Sequence, residues 1–207
     1  MTSAIPSGGK ARRTYQNLAV ATCAEIEASG SFTAERVALR ASSSPATFYA
    51  YFSSKDDALT AAFRVVLDRL VEFVDETMTI ESLLELGLEF FCERFAVNTL
   101  TFFRRESQVF RLALARLAEN APLRAAYRTS QRLALARYQR WIELGQAAGK
   151  LRMQEPEMLA RVLMVLTQGF NNPIALATPR DEALEAELGR SLFVLLCPEI
   201  PNSTPAA

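Results

Sequence analysis

The chain has 207 residues, half of them hydrophobic, and 23 basic residues balance 23 acidic ones for a formal net charge of zero. This composition excludes a disordered protein and provides enough apolar material for one modest domain or two small ones. The sequence contains no histidine, which excludes Ser-His-Asp and Cys-His catalytic sites, histidine-ligated zinc and the commonest general base. No P-loop or dinucleotide-binding glycine pattern is present either.

We therefore expect no enzymatic activity, no catalytic residue and no cofactor. Glu85, Glu89 and Glu93 share a helical face and could imitate a carboxylate metal site, but a solvated stripe is the better interpretation, so we expect no metal. No run reaches the roughly 18 apolar residues of a membrane span, and residues 1–14 lack a signal-peptide pattern. The expectation is a cytoplasmic protein without a membrane partner.

The three cysteines are scattered: Cys23, Cys92 and Cys197 lie on apolar helical faces. Their spacing matches neither a metal site nor a disulfide framework. Buried free thiols are the favoured interpretation, and a redox-sensing pair is the alternative.

The chain begins with a basic segment followed by a first helix. Residues 3–13 contain Ser-Gly-Gly and then Lys10, Arg12 and Arg13, which predicts a flexible arm that becomes ordered against a polyanion; a frayed terminus is the alternative. From Tyr15 onward apolar residues recur at helical spacing until Gly30, which predicts a helix over 15–29.

The next segment has the signals of a short capped helix. Thr33 can cap its N-terminus, and Glu35 lies in the first turn, where the helix dipole favours an acid. Phe32 and Val37 have the spacing of a hydrophobic staple. Three consecutive serines, residues 42–44, then compete for backbone hydrogen bonds and end the helix in a tight turn.

A second short helix follows this turn. Ser44 and Pro45 form an N-cap with proline at the first helical position. Phe48 and Phe52 are predicted to face inward, and the opposite side carries short side chains and phenols: Ala46, Thr47, Tyr49, Ala50 and Tyr51. Residues 54–57, Ser-Lys-Asp-Asp, begin a third helix. Two short helices around a tight turn are the layout of a helix-turn-helix DNA reader.

At these positions the chain resembles the TetR family of bacterial transcription regulators. The residues in register with the family signature are Thr33, Val37, Ala38, Ala41, Ser44, Thr47, Tyr49, Phe52, Ser54 and Lys55. One departure is that Ser42 and Ser43 replace the usual Gly-Val of the turn. Because serine tolerates a left-handed backbone less well than glycine, we expect a turn that is strained or slightly different in shape.

The resemblance implies an all-α fold with an N-terminal three-helix helix-turn-helix domain and a C-terminal helical bundle for ligand sensing and dimerisation. We accordingly divide the chain at residues 1–54, 55–197 and 198–207, the last being a proline-rich segment predicted to be disordered. The implied partners are an operator in double-stranded DNA, a second copy of the chain, and an effector whose binding usually relieves repression.

The predicted DNA contacts come from the arm, both short helices and the start of the third: Lys10, Arg12, Arg13, Thr33, Arg36, Ser44, Pro45, Ala46, Thr47, Tyr49, Tyr51 and Lys55. The resemblance implies a phosphate contact for Lys55 and phosphate or groove contacts for Tyr49 and Tyr51. The second helix has no Arg, Lys, Asn or Gln, so we expect thymine-methyl contacts from residues 45–47 and a guanine contact from Arg36. Residues 1–55 hold six cations and three acids. This small excess of positive charge suits two helix-turn-helix domains that act together, because their phosphate contacts combine. We refer to the helix-turn-helix domain as the head.

The remaining chain is predicted to be helical, because apolar residues recur at three- and four-residue spacing and no β-alternation competes. The expected helices are 55–76, 80–97, 101–118, 122–148, 156–177 and 181–196. The last two carry apolar residues on more than one face, with Gly169 and Gly189 permitting close approach. They predict a four-helix dimer interface that includes Leu159, Val162, Leu166, Leu184, Leu188, Leu192 and Leu195.

Aromatic residues are dense in the middle helices. Core packing is the usual role of aromatics at helical spacing, but their number favours an apolar cavity between bundle helices for a flat or lipid-like ligand. The candidate lining residues are Phe90, Phe91, Phe95, Phe102, Phe103, Phe110, Tyr127, Tyr138, Trp141, Phe170 and Asn171.

The sequence thus predicts a dimeric DNA-binding regulator, a repressor that an apolar effector releases. The alternative is a regulator that lacks a small-molecule pocket and responds to a protein partner or to cysteine oxidation.

Overall fold

The structure, a computed structural model, describes residue 6 and residues 8–198. Within those residues the chain is all-helical, as predicted. The helices are α1 (Gly9–Ser29), α2 (Ala34–Arg40), α3 (Pro45–Tyr51), α4 (Lys55–Thr77), α5 (Ile80–Leu86), α6 (Leu88–Arg105), α7 (Ser107–Arg116), α8 (Ala121–Ala147), α9 (Pro156–Gly169) and α10 (Glu182–Leu196). None of these helices combines the length and apolarity of a segment that spans a bilayer.

The predicted N-caps of the helix-turn-helix segment are confirmed. Thr33 Oγ1 accepts a hydrogen bond from the Arg36 N–H at 3.3 Å, and Ser44 Oγ accepts one from the Thr47 N–H at 3.1 Å. At the start of α4, Ser54 Oγ accepts from the Asp57 N–H at 3.1 Å. Each cap satisfies an N–H that has no partner within its own helix.

The first helix begins earlier than predicted. Lys10, Arg12 and Arg13 belong to the first turns of α1 and not to a flexible arm. The Arg12 N–H donates to the Gly8 carbonyl at 2.8 Å, so helical hydrogen bonding starts six residues before Tyr15. The reason is that Lys, Ala and Arg are strong helix formers, which extend an established helix over any exposed stretch. Residues 3–5 and 7 of the predicted arm, and residues 199–207 of the predicted tail, lie outside the described residues.

Two of the predicted boundaries in the middle of the chain are wrong. The expected helix 80–97 is divided at Gly87, whose φ of 76° is accessible mainly to glycine. The expected break at residues 98–99 does not exist, because Thr99 Oγ1 donates to the Phe95 carbonyl and the residue remains buried within α6. The break falls instead at Glu106, which separates α6 from α7.

The helix expected over 156–177 ends at Gly169. Asn172 explains why the chain does not continue as helix: its Oδ1 accepts from the Ile174 N–H at 2.8 Å and from the Ala175 N–H at 3.4 Å. In this turn the backbone N–H groups bond to the Asn172 side chain instead of to helical carbonyls. Pro173 also has no N–H to donate to a continuing helix.

Ser42 adopts a left-handed backbone conformation between α2 and α3, with φ of 49°. The Ser42 N–H donates to the Leu39 carbonyl at 3.1 Å, and the Ser43 N–H donates to the Ala38 carbonyl at 2.8 Å. These two bonds are the pattern of a Schellman motif, whose left-handed position is usually glycine. The predicted strain therefore lies at one residue, Ser42, while the turn keeps its usual hydrogen bonds.

The chain forms two compact units. One comprises the described residues up to Glu72 together with Arg105–Arg132, and the other comprises Phe73–Arg104 and the described residues from Leu133 onward. Helices α4 and α8 contribute to both units. The functional boundary between residues 54 and 55 stays a prediction.

A polar cluster ties α1 to α7 inside the first unit. The Glu27 carboxylate caps α7, accepting from the Val109 N–H at 3.0 Å and the Gln108 N–H at 3.4 Å. Glu106 is buried and pairs with Arg69 at 3.2 Å. Desolvation raises the pKa of Glu27, although the two backbone donors oppose the rise.

Two of the three cysteines are buried free thiols, as the favoured interpretation predicts. Burial, together with the nearby Glu106 carboxylate, raises the pKa of Cys23 to about 11. Burial is also the main cause that raises the pKa of Cys92 to about 12. Cys197 is only half-buried.

Replacing Ser42 by glycine should stabilise the protein. Glycine accepts the left-handed backbone without the Cβ clash, so we expect the Ser42→Gly variant to melt roughly 2–4 °C higher, equivalent to about 1 kcal/mol for a chain of this size. Thermal unfolding followed by circular dichroism is the measurement. The control is Ser43→Gly, which should lower the melting temperature or leave it unchanged, because glycine there only adds freedom to the unfolded chain. An equal rise in both variants would contradict the explanation.

Thiol reactivity should distinguish Cys197 from the other two cysteines. The thiolate is the reactive form, and a pKa of about 11 leaves roughly one thiol in a thousand ionised at pH 8. We expect a disulfide reagent at pH 8 to modify Cys197 first and to reach Cys23 and Cys92 only after unfolding in guanidinium. A Cys197→Ser variant should then show no fast-reacting thiol. Modification of Cys23 in the folded protein at the rate of Cys197 would refute this assignment.

Candidate DNA-binding surface

Helices α1, α2 and α3 pack together as a helix-turn-helix unit around aromatic and small side chains. Phe48 and Phe52 face inward, as predicted, and both are fully buried. The Phe52 ring lies 5.4 Å from the Tyr15 ring of α1 and 5.2 Å from the Phe48 ring, measured between centroids. Val37 and Ala38 of α2 are buried in the same core, which brings α2 close to α3.

The outer face of α3 is exposed and small. Pro45, Ala46 and Ala50 are exposed, and Tyr49 is 61% exposed with its ring 5.4 Å from Phe48. Thr47 and Tyr51 are half-buried. The hydroxyls of Ser44 and Thr47 lie 2.9 Å apart in a mutual hydrogen bond. Apart from the Tyr49 phenol, the exposed side chains on this face are short, so it could lie close to the floor of a groove.

Exposed cations lie at the starts of α1 and α4. Lys55 is exposed in the first turn of α4, and its charge contributes to a lowered pKa at Glu35 of α2, after larger effects from backbone and Thr33 hydrogen bonds. Lys10, Arg12 and Arg13 are exposed in the first turns of α1, where the positive end of the helix dipole adds to their charge.

Arg36, the predicted guanine contact, has an acidic partner within the protein. Its Nη2 lies 2.7 Å from Oε2 of Glu25, and Arg40 Nε donates to Oε1 of the same carboxylate at 2.5 Å. Glu25 and Arg40 were not among the predicted site residues. The available signal was periodicity, because Glu25 lies on the core-facing side of α1 with Leu18, Thr22 and Ile26, and a carboxylate there requires a cation.

The structure does not bring all of the candidate ligand-binding residues together. Phe110 and Tyr127 pack on Phe63 in the first unit. Phe90 is 54% exposed and lies outside any packed cluster. In the second unit an aromatic layer is connected by ring contacts. Its members are the half-buried Phe73 and the buried Phe91, Phe95, Phe102, Phe103, Tyr138 and Trp141. Phe170 is buried and Asn171 half-buried after the end of α9.

The polar atoms of this aromatic layer already have partners. Trp141 Nε1 donates to the Thr79 carbonyl at 3.2 Å, and the Tyr138 hydroxyl lies 3.4 Å from Thr167 Oγ1. Burial raises the pKa of Tyr138 to about 12. A cavity of about 40 Å³ lies beside Phe91 and Phe95, bordered by Glu76, Arg94 and Asn98. That volume accommodates water and not an effector, since ligand pockets are usually about 300–1,000 Å³.

Some of the predicted dimer-interface residues belong to the interior of the protomer. Leu159 and Leu192 are fully buried within the single chain. Gly189 packs against the backbone of α6, where an added Cβ would lie 2.8 Å from the Glu93 Cα. Leu159 and Leu192 therefore pack α9 and α10 within their own protomer, and Gly189 permits the close approach of α10 to α6. The dimer interface itself stays a prediction.

A second apolar face of α9 and α10 is exposed. Val165 is 68% exposed, and the other exposed apolar residues of this face are Met158, Val162, Leu166 and Val194. Leu184, Leu188 and Leu195 are half-buried. We refer to these eight residues as the α9–α10 apolar face.

The sequence matches no protein-family model and no curated protein, whereas the fold matches solved structures closely. A protein of Mesorhizobium loti assigned to the TetR family of transcriptional regulators superposes with a TM-score of 0.73 at 16% identity, over 89% of this chain and 97% of that one. A TetR transcription regulator of Haloarcula marismortui gives 0.69 at 15% identity, over 89% and 98%. The fatty acid degradation regulator FadR of Bacillus halodurans gives 0.62 at 16%, over 91% and 96%.

These matches extend over nearly the whole length of each chain and include both the helix-turn-helix segment and the helices that follow it. At such identities they establish the architecture. The protein therefore has the fold of the TetR-family transcriptional regulators.

Proposed function

We propose that this chain is a sequence-specific DNA-binding transcriptional regulator. It binds a palindromic operator as a homodimer, and an apolar small-molecule effector releases it and relieves repression. The observation that carries the proposal is the exposed outer face of α3, held by a buried aromatic core, together with the exposed cations at the starts of α1 and α4. No enzymatic step is part of this function.

Phosphate contacts supply most of the affinity and set the orientation of the head on the duplex. Lys55 is suited to this role because a phosphate in front of α4 would meet both its ammonium and the N–H groups at the helix start. Lys10, Arg12 and Arg13 act in the same way from α1. Since they are helical, we assign them to the phosphate backbone and not to the minor groove. Tyr49 and Tyr51 add hydroxyl contacts.

Base reading depends mainly on shape and on methyl groups. Pro45, Ala46 and Thr47 lie at the start of α3, the end of a recognition helix that meets the bases in helix-turn-helix proteins. They can meet thymine methyls but cannot form a bidentate contact with a base edge. Arg36 remains the candidate for a guanine contact, and it would have to share its guanidinium with Glu25. Thr33 and Ser44 contribute chiefly as caps.

The α9–α10 apolar face supports dimerisation. Five exposed apolar side chains on two neighbouring helices are more than an isolated surface usually presents. Two copies of the face would form a four-helix interface that carries two heads and lets their phosphate contacts combine.

The aromatic layer of the second unit is the proposed effector site. Its flat rings favour an apolar or aromatic molecule. Binding requires the rings to separate, because the adjoining cavity is only about 40 Å³. An effector that prefers the opened arrangement shifts the population toward it by its differential affinity, and operator affinity falls if the opened arrangement binds DNA less well. The alternative is a regulator that responds to a protein partner or to cysteine oxidation, and effector screening against the operator complex separates it from the proposed mechanism.

Selection from a random DNA pool tests the proposed function directly. We expect the purified chain to enrich a palindrome whose half-sites lie about one helical turn apart, or a multiple of it, because two symmetry-related heads read one face of the duplex. Affinity for the enriched duplex is then measured across a salt series. Binding without an enriched sequence, lost at moderate salt, would mean that the head does not read DNA unaided.

Val165→Glu tests the dimer. A buried, unpaired charge in the interface should produce monomers in analytical ultracentrifugation and lower operator affinity by roughly a hundredfold or more, since one head loses the contribution of the other. The matched control is Ile174→Glu, another exposed apolar residue that lies outside the α9–α10 apolar face and should leave the dimer intact. A Val165→Glu protein that remains dimeric would exclude this face as the interface.

A further inference from the structure

One buried carboxylate lies between α1 and two arginines of α2. The Glu25 side chain is only 5% exposed, whereas those of Arg36 and Arg40 are 51% and 45% exposed. Each arginine takes a different oxygen of the carboxylate: Arg40 Nε donates to Oε1 and Arg36 Nη2 approaches Oε2. Each guanidinium therefore has one edge turned toward the protein while much of its surface remains in solvent.

The position of these arginines gives the pairing a consequence for DNA. Residues 36 and 40 are one helical turn apart on α2, the first helix of the helix-turn-helix unit. That helix crosses the phosphate backbone when the following helix enters the major groove. Two guanidiniums on one carboxylate form a group with a net charge of one. Arg40 is held by a hydrogen bond and Arg36 by charge, since Glu25 Oε2 accepts no hydrogen bond among the described residues.

We propose that Glu25 is a positioning residue that determines how specifically the head binds DNA. The proposal rests on the function proposed above. By holding Arg36 and Arg40, Glu25 restricts their contacts to the phosphates and base edges that are correctly placed when the head is in its specific register. The Glu25 carboxylate also neutralises one positive charge that would otherwise attract DNA of any sequence.

The physical reason lies in the difference between specific and non-specific binding. A released arginine has a long flexible side chain that can pair with a phosphate in many registers, and such contacts carry no sequence information. A held arginine offers its free edge in one direction. It therefore loses little contact with DNA in the specific complex and much of that contact in the non-specific complexes. Glu25 therefore weakens non-specific binding more than operator binding.

Glu25→Gln tests this inference, because glutamine preserves the size of the side chain and removes its charge. The probes are the enriched operator duplex and a random-sequence duplex of equal length, each titrated with full-length protein from 0.05 to about 0.3 M salt. We expect affinity for the random duplex to rise roughly threefold to tenfold. The slope of log affinity against log salt should steepen by about 0.9, one additional phosphate neutralised. Operator affinity should change less, so the specificity ratio falls.

Two further variants separate positioning from other effects. Glu35→Gln makes the same change of charge on the exposed side of α2. Glu35 has no ion pair with either arginine in the described structure. This variant should therefore alter the specificity ratio less than twofold. In an Arg36→Gln/Arg40→Gln background, Glu25→Gln should no longer change the ratio, because the double variant removes the groups through which Glu25 acts. Circular dichroism and thermal melting confirm that each protein is folded.

The inference is overturned if Glu25→Gln lowers both affinities in parallel at an unchanged salt slope, since Glu25 would then only stabilise the head. It is also overturned if Glu35→Gln reproduces the whole effect, because charge alone would be sufficient. Failure of the proposed function has a different signature: the unaltered chain itself would not distinguish any enriched duplex from random DNA.

Discussion

The burial of Phe48 and Phe52 is the interaction on which the head depends. Helix α3 has seven residues, and a helix this short has little stability by itself in water. Its stability comes from two fully buried rings that pack on each other, and the Phe52 ring also packs on Tyr15 of α1. Burial of each ring contributes about 1.5–3 kcal/mol. Because those rings define the inner face of α3, they also determine which residues face outward. The candidate reading face is thus a consequence of core packing.

The ends of α2 and α3 determine the angle between them. Only the segment from Ala41 to Ser44 joins the helices, and the N–H groups of residues 41–43 and the carbonyl of Ser44 have backbone partners in the flanking helices. The N–H groups of Ser42 and Ser43 bond to carbonyls at the C-terminus of α2, and the Ser44 hydroxyl caps the N-terminus of α3. Because these bonds join the end of α2 to the start of α3, the packing of α2 on α1 also influences the orientation of α3.

The sequence predicted the parts of the fold that depend on local chemistry. Caps at Thr33, Ser44 and Ser54 and the inward faces of α3 follow from side chains near in sequence, and the structure confirms them. The boundary at residues 98–99 was wrong because burial of Thr99 overrides the weak helix propensity of threonine.

The candidate site was predicted less completely, because it depends on partners that are distant in sequence. Glu25 and Arg40 are 15 residues apart, and nothing in local spacing reveals that they share a hydrogen bond. The division of the aromatics between two units is equally a matter of tertiary packing. Leu159 looked identical to Val162 in an apolar pattern, although one is core and the other is surface.

The net charge of zero conceals an uneven distribution of charge between interior and surface. In the described part of the chain, three buried glutamates each hold two arginines: Glu25 holds Arg36 and Arg40, Glu106 holds Arg69 and Arg105, and Glu185 holds Arg104 and Arg180. The chain has 20 arginines and only three lysines. A guanidinium can bond a carboxylate with one edge and keep its other donors in solvent, which a compact ammonium does less well.

Each of these groups buries its negative charge more deeply than its positive charges, so each leaves a net charge of one near the surface. Some of the acidic residues counted in the composition are therefore buried and do not face a polyanion. For the head, this means that the cations of α1, α2 and α4 face solvent with fewer exposed acids than the sequence total suggests. A neutral chain can thus present a cationic edge to solvent, because part of its negative charge is buried inside the protein between arginines.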